Sequence, residues 1–193
     1  MNGKGLLVVI SGPAGAGKGT VVKELIKDEN IRLSVSATTR APREGEENGV
    51  HYHFLTREQF EEMIAEDGFL EYAQYVGNFY GSPKKQAEEW MRQGKDVILE
   101  IEVQGCKKIK EKFPQCVSIF IMPPSMEILE SRLRGRGTET EDVIAKRMKR
   151  AEEEIGLSGD YDHVVINDTV EECVEGVRRI LELEKQRASE AES

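Results

Sequence analysis

The sequence is poor in the features that mark secreted, membrane-spanning or metal-organised chains. Its three cysteines, Cys106, Cys116 and Cys173, lie far apart and form no CxxC or Cys/His ligand spacing. An odd count without a secretory leader is expected of reduced thiols in a cytoplasmic protein, where they pack rather than bridge. The apolar run 6–10 is far too short to span a membrane and lacks the charged flank and cleavage site of a signal peptide. Nor is positive charge in excess. Lys and Arg number 27 against 36 Asp and Glu, a net charge of -9, so the chain as a whole repels nucleic acid and anionic membrane. A small anionic ligand must therefore be met by a local basic cluster. No repeat or low-complexity linker interrupts the 193 residues, a length that suits one well-filled core.

What is present reads as alternating strands and helices. The continuous apolar run 6–10 has the pattern of a strand buried on both faces, and 20–27 that of a helix with Val21, Val22, Leu25 and Ile26 inward. The section 34–81, rich in Thr, Tyr, Phe and Gly, predicts strand-like pieces at 34–38 and 51–55. Between them and residue 81 falls a helix capped by Thr56 with Gln59 and ended by Gly68. Ser82 is expected to cap a helix with Pro83 at its first position and Gly94 just past its end. Further buried strands are predicted at 96–103 and 116–122, and a short one at 163–166. Ser125 begins a helix carrying Arg132, Arg134 and Arg136; Thr138 with Glu141 caps the next, and Thr169 with Glu172 a last one. After Gln186 the polar tail is expected to fray.

Between the first strand and helix lies Gly12-Pro13-Ala14-Gly15-Ala16-Gly17-Lys18-Gly19-Thr20. Backbone N–H groups of a glycine-rich turn at a helix N-terminus form an anion nest, and the lysine adds a mobile positive charge for the outer phosphates. The strict phosphate-loop pattern places Ser or Thr directly after the lysine, to hold Mg²⁺. Here Gly19 stands there and Thr20 follows, the form familiar from nucleoside monophosphate kinases. Thr20 is left with two roles, one toward the metal through water and one as a helix-start residue.

The loop alone implies a nucleotide phosphate. More is carried by Ser34-Val35-Ser36-Ala37-Thr38-Thr39-Arg40-Ala41-Pro42-Arg43-Glu44-Gly45-Glu46, by Asn48-Gly49 and Tyr52, by Phe69-Leu70-Glu71-Tyr72, by Gly77-Asn78-Phe79-Tyr80-Gly81-Ser82 and by Arg132-Leu133-Arg134-Gly135-Arg136-Gly137-Thr138. With these, in order over about 6–168, the chain closely resembles the guanylate kinases. The resemblance implies an α/β P-loop kinase with a five-stranded parallel core sheet flanked by helices. It also implies an inserted GMP-binding lobe at 35–81 and an arginine-rich lid at 125–156, the core being 1–34, 82–124 and 157–193. The activity implied is transfer of the ATP γ-phosphate to GMP, giving ADP and GDP, with dGMP expected as a further acceptor. Mg²⁺ is the expected cofactor, and ATP and GMP the expected partners, without nucleic acid or membrane.

The residues agree with that expectation. Arg40 and Arg43, three apart beside a proline turn, can converge on one phosphate, with Tyr52 and Tyr80 adding hydroxyls; the family holds the GMP phosphate at these positions. Guanine offers a donor pair that adenine lacks. Glu71 stands at the family position that accepts it, with Ser36 and Ser82 as hydroxyl partners. Glu100 and Glu102, two apart at a strand's carboxyl end, are expected on one side of it, near the metal and the guanine site. Glu102 departs from the family's usual Asp, which leaves its direct contact open. Arg132 and Arg136, four apart, are expected on one helix face, with Arg147 on the next helix, as neutralisers of transition-state charge alongside Lys18. The acceptor phosphate is already a nucleophile, so the absence of a His dyad or nucleophilic Ser fits. Asn167 matches a position near the adenine and is equally an ordinary residue before a helix cap. Arg134, Lys146, Lys149 and Arg150 read as a solvated face. Two rival readings are a related sugar-phosphate kinase, which would lack the guanine carboxylate and tyrosine pair, and a silent phosphopeptide-binding module, which would lack Lys18 and the lid arginines.

Overall fold

The computed structural model describes residues 4–75, 77–135 and 140–191. Its core is a five-stranded, all-parallel sheet of β1 (Leu7–Ser11), β2 (Ile31–Leu33), β7 (Asp96–Glu100), β8 (Val117–Met122) and β9 (His163–Ile166), in the order β2-β7-β1-β8-β9. Residues of β1 alternate between two cores, because successive strand side chains point to opposite faces. Val8 and Ile10 join Val21, Val22 and Leu25 of α1 (Lys18–Leu25) and Cys173, Val177 and Leu181 of α7 (Val170–Ala191). Leu7 and Val9 join Ala87 and Met91 of α3 (Lys84–Arg92) and Cys106 and Ile109 of α4 (Val103–Lys112). All three cysteines are buried free thiols.

A second, four-stranded sheet has the order β4-β3-β6-β5, from β3 (Ala37–Thr38), β4 (His53–Phe54), β5 (Phe69–Tyr75) and β6 (Asn78–Pro83). It has its own small core, in which Phe60 of α2 (Arg57–Ala65) stacks on Phe69 at 4.3 Å and on Phe79 at 5.3 Å between ring centroids. Leu129 and Leu133 of α5 (Met126–Arg134) pack with Ala151 and Met148 of α6 (Glu141–Gly156) in another. Among the described residues no helix is long and apolar enough to cross a membrane.

Several local expectations change. The Thr56–Gln59 capping box forms, but the left-handed residue after α2 is Asp67, at φ 54°, not Gly68. Gly68 N–H bonds back to Met63 O and Asp67 N–H to Ile64 O, the paired closure of a Schellman motif. Pro83 is the cap residue of α3, and Ser82 caps nothing: its hydroxyl is turned to Glu71. The strand expected at 96–103 stops at Glu100 and the chain re-enters a helix, α4, at Val103. β2 and the β5–β6 hairpin were not foreseen as strands. α6 starts at Glu141 behind Thr140; Thr138 lies outside the described residues. α7 continues to Ala191 where fraying was expected from Gln186.

The last helix is tied to the sheet through one buried carboxylate. Asp96 accepts Leu6 N–H at 3.0 Å on one oxygen and pairs with Lys185 Nζ at 2.8 Å on the other, with its side chain 2% exposed. Removing it leaves the Leu6 amide without its charged acceptor. Asp96→Ala is expected to lower the unfolding free energy by about 2 kcal/mol, read from urea denaturation.

Candidate active site

The loop between β1 and α1 lies at the carboxyl edge of the parallel sheet. Gly12, Gly15 and Gly17 have φ of 145°, 91° and 89°, conformations an L side chain rarely adopts. Space excludes a side chain as well: a Cβ on Gly12 would meet Ile121 O at 2.3 Å, and one on Gly17 the Asn167 amide nitrogen at 2.3 Å. Gly17 caps α1, so the first turn directs its N–H groups into the loop. Lys18 Nζ curls back to donate to the carbonyls of Gly12 and, at 3.1 Å, Pro13. Ala14 is exposed, Ala16 is buried, and Thr20 is exposed one position beyond Gly19.

Asn167 follows β9 and is 3% exposed. Its amide donates to Ala16 O at 2.7 Å, so it braces the loop from beneath, whereas its Oδ1 is buried without a hydrogen-bond partner. Arg132, from the last turn of α5, donates to the carbonyls of Asn167 and Asp168 at 3.0 and 3.3 Å. α5 ends at Arg134 among the described residues, and Arg136 lies outside them.

A cleft of about 470 Å³ opens between the loop and the four-stranded sheet. It brings together Ser36, Arg40, Arg43, Tyr52, Glu71, Tyr80, Glu100 and Glu102, residues that are distant in sequence, and Lys18 reaches it as well. Arg40 is gripped by Glu46 at 2.9 and 3.0 Å and lies over the Tyr52 ring at 5.4 Å. Glu46 also accepts Arg43 N–H at 2.7 Å. The Arg40 hydrogen bonds, and then that backbone bond, hold Glu46 down at about 2, so it is ionised throughout the physiological range. Glu46 was missed as a site residue; its signal was a carboxylate three and six residues from two arginines in one turn.

Glu71, on β5, is 6% exposed and accepts the Ser82 hydroxyl at 3.0 Å; its other oxygen would lie 3.4 Å from a Cβ on Gly105. Burial pushes the Glu71 carboxyl up, more than the Ser82 bond and the nearby Lys108 and Lys112 charges pull it down. Glu100 is likewise raised by burial, against Lys18 and Lys23. It would sit 3.8 Å from a Cβ on Gly19. Glu102 also lines the cleft but lies beyond the end of the strand. It is the cap residue of α4, and its carboxylate pairs with Arg150 at 2.6 Å, so the two glutamates do not share a strand face. A second cleft, of about 380 Å³, is lined by Gly12, Ala14 and Lys18 together with Lys146, Arg147 and Arg150 of α6. Arg147 is thereby near the loop, whereas Arg132 is held on the β9–α7 junction.

A parallel α/β sheet whose first strand feeds a Gly-Lys-Gly-Thr loop, flanked by helix cations and an arginine-lined cleft, defines a P-loop kinase. The family profile described as Guanylate kinase matches residues 4–184. The chain is 58% identical over 182 residues to the guanylate kinase of Halalkalibacterium halodurans, covering 94% of this chain and 89% of that protein. It is 54% identical over 187 residues to that of Clostridium acetobutylicum, covering 97% and 90%. The crystal structure of guanylate kinase from Anaplasma phagocytophilum is similar, with a TM-score of 0.77 and 38% identity over 95% of this chain and 87% of that one. The chain belongs to the guanylate kinase family.

Because burial raises the folded-state pKa of Glu71, its ionised form costs stability at neutral pH, and that cost disappears as pH falls through the folded pKa. Glu71→Gln keeps an acceptor for Ser82 and removes the buried charge. Its Tm is expected above that of the parent at about pH 8, with the difference shrinking toward zero by about pH 4. Thermal scans across that range check it; a pH-independent difference would contradict the assignment.

Proposed function

We propose that this protein transfers the γ-phosphate of ATP to GMP, giving ADP and GDP. The observation that carries the reading is the cleft itself. A two-arginine, two-tyrosine end suits a phosphate, a buried carboxylate with its serine suits guanine, and the cleft opens onto the lysine of the phosphate loop.

In this reading 35–81 is the GMP-binding lobe, 125–156 the lid, and the rest the core of a single domain. Arg40, Arg43, Tyr52 and Tyr80 take the GMP phosphate, which replaces the Glu46 carboxylate as the partner of Arg40. Glu71 accepts the guanine N1–H and amine, with Ser82 fixing its carboxylate and Ser36 at the rim. AMP would leave this buried acceptor unmatched, which is the physical source of discrimination. The loop 12–20 holds the ATP phosphates through its backbone, and Asn167 keeps that backbone in place. Lys18 moves from the loop carbonyls onto the outer phosphates, joined by Arg147 and by Arg132 and Arg136 of the lid. Charge spreads over the migrating group in the transition state, so cations placed there accelerate transfer without a protein base. Closure of the lid excludes water, a competing acceptor.

The residues also suit Mg²⁺ carried in with ATP. The half-buried Glu100 carboxylate faces Gly19, whose missing side chain leaves room beside the loop, and Glu100 and Thr20 are placed to hold the ion through water. When bound, the ion neutralises charge on the donor phosphates.

Two outcomes test the reading. In a coupled ATP/GMP assay Lys18→Ala is expected to lower kcat by about a hundredfold or more while the KM for GMP changes little. The parent protein should turn over GMP with a kcat/KM at least about a hundredfold above that for AMP; comparable AMP turnover would sink the guanine assignment.

A further inference from the structure

Arg150 reads in the sequence as one of several solvated cations of α6. Its surroundings in the fold are different. Nη2 donates to Glu102 at 2.6 Å, Nε to Glu154 at 2.8 Å and Nη1 to Tyr75 OH at 3.1 Å, and its guanidinium lies over the Tyr75 ring at 5.4 Å. An isolated exposed ion pair would carry little. Here all three guanidinium nitrogens are engaged, and two of the partners are 75 and 48 residues away in sequence. Tyr75 ends β5 in the four-stranded lobe, Glu102 caps α4 of the core, and Arg150 and Glu154 belong to α6. Three parts of the molecule therefore meet on one side chain, whose planar fork suits several simultaneous acceptors in a way an ammonium does not.

The position of this meeting point matters more than its strength. Tyr75 and Glu102 line both clefts, the one assigned to the acceptor and the one beside the phosphate loop. Arg150 thus stands in the wall that separates them. Lys146 and Arg147, four and three residues before it, share its helix face and line the cleft beside the loop. Whatever fixes Arg150 also fixes where those two cations point.

We propose that Arg150 is a positioning residue that couples the two substrate sites. It holds the Glu102 carboxylate at the edge of the acceptor cleft while its helix carries Arg147 over the donor phosphates. A guanine seated beside Glu102 steadies Arg150 and with it α6; a nucleotide seated under α6 steadies Glu102. Such coupling is reciprocal, so each substrate tightens the other by the same factor. The inference rests on the ATP:GMP reading above.

The test is to titrate GMP calorimetrically into the full protein, with and without a non-hydrolysable ATP analogue and Mg²⁺. The parent protein is expected to bind GMP at least about fivefold more tightly with the analogue present. Arg150→Gln and Glu102→Gln should each bring that ratio close to one, and the double variant should lose no more than either single one. Glu154→Gln, which removes only the partner within the helix, should keep the parental ratio. Arg150→Lys, which keeps the charge but not the fork, should fall between and retain the parental Tm. An Arg150→Gln protein with the parental ratio would overturn the proposal. So would a parent protein without coupling, or equal losses in Glu154→Gln and Arg150→Gln. A parent protein that fails to phosphorylate GMP in the coupled assay would remove the functional reading and this inference together. An active parent whose Arg150→Gln variant keeps its coupling would remove this inference alone.

Discussion

The hydrogen bond from the buried Asn167 amide to the Ala16 carbonyl is the contact on which the site depends. A glycine-rich loop has more conformations available than any other stretch of chain, and a phosphate nest needs one of them. The fold selects it by enclosure. The loop has a strand of the parallel sheet behind it, Ile121 against Gly12, and Asn167 against Gly17 and Ala16. The same junction after β9 receives Arg132, so the brace and the last turn of α5 are joined through adjacent carbonyls. Displacement of Asn167 would therefore disturb both the phosphate cradle and the end of α5.

Around that fixed loop, the cleft manages its charges in three ways. Glu46 is kept ionised by three donors from two arginines and occupies the guanidinium that the proposed acceptor phosphate would use. Glu71 is held in a dry, serine-lined position where its charge is costly without a matching donor pair. Glu102 is paired with Arg150 of α6 at the edge of the cleft. Although the chain carries a net charge of -9, Lys18, Arg40, Arg43, Lys146, Arg147 and Arg150 gather around the two clefts, while several of its carboxylates lie in exposed pairs elsewhere, such as Arg57–Glu61 and Arg179–Glu175. Exposed pairs of that kind contribute little to stability or to the local field.

Legibility in the sequence followed the range of the interaction concerned. Buried strands such as β1 and β8 and the Thr56 capping box are written in neighbouring residues, and they appear where the pattern places them. Glu100 and Glu102 both line the cleft, but the strand that their two-residue spacing implies stops at Glu100. The 3-residue recurrence of Val103, Cys106 and Ile109 was the helical signal that went unread. Ser82 fits the pattern of a helix cap, but a buried carboxylate eleven residues earlier competes for its hydroxyl and takes it. Arg150 illustrates the limit: nothing near it in the chain distinguishes it from Lys149.

By itself the sequence determined the alternation of strands and helices, the glycine-rich loop and the identity of the groups proposed for phosphate and guanine. These depend on local periodicity, on backbone freedom at glycine and on side-chain chemistry, all properties of short segments. The tertiary structure alone decided which of those groups face one another. Asn167 braces the loop, Glu46 holds Arg40, and Glu102 pairs with Arg150. Such pairings depend on chain segments brought together by burial of two separate cores on a parallel sheet, a non-local outcome that no window of residues contains.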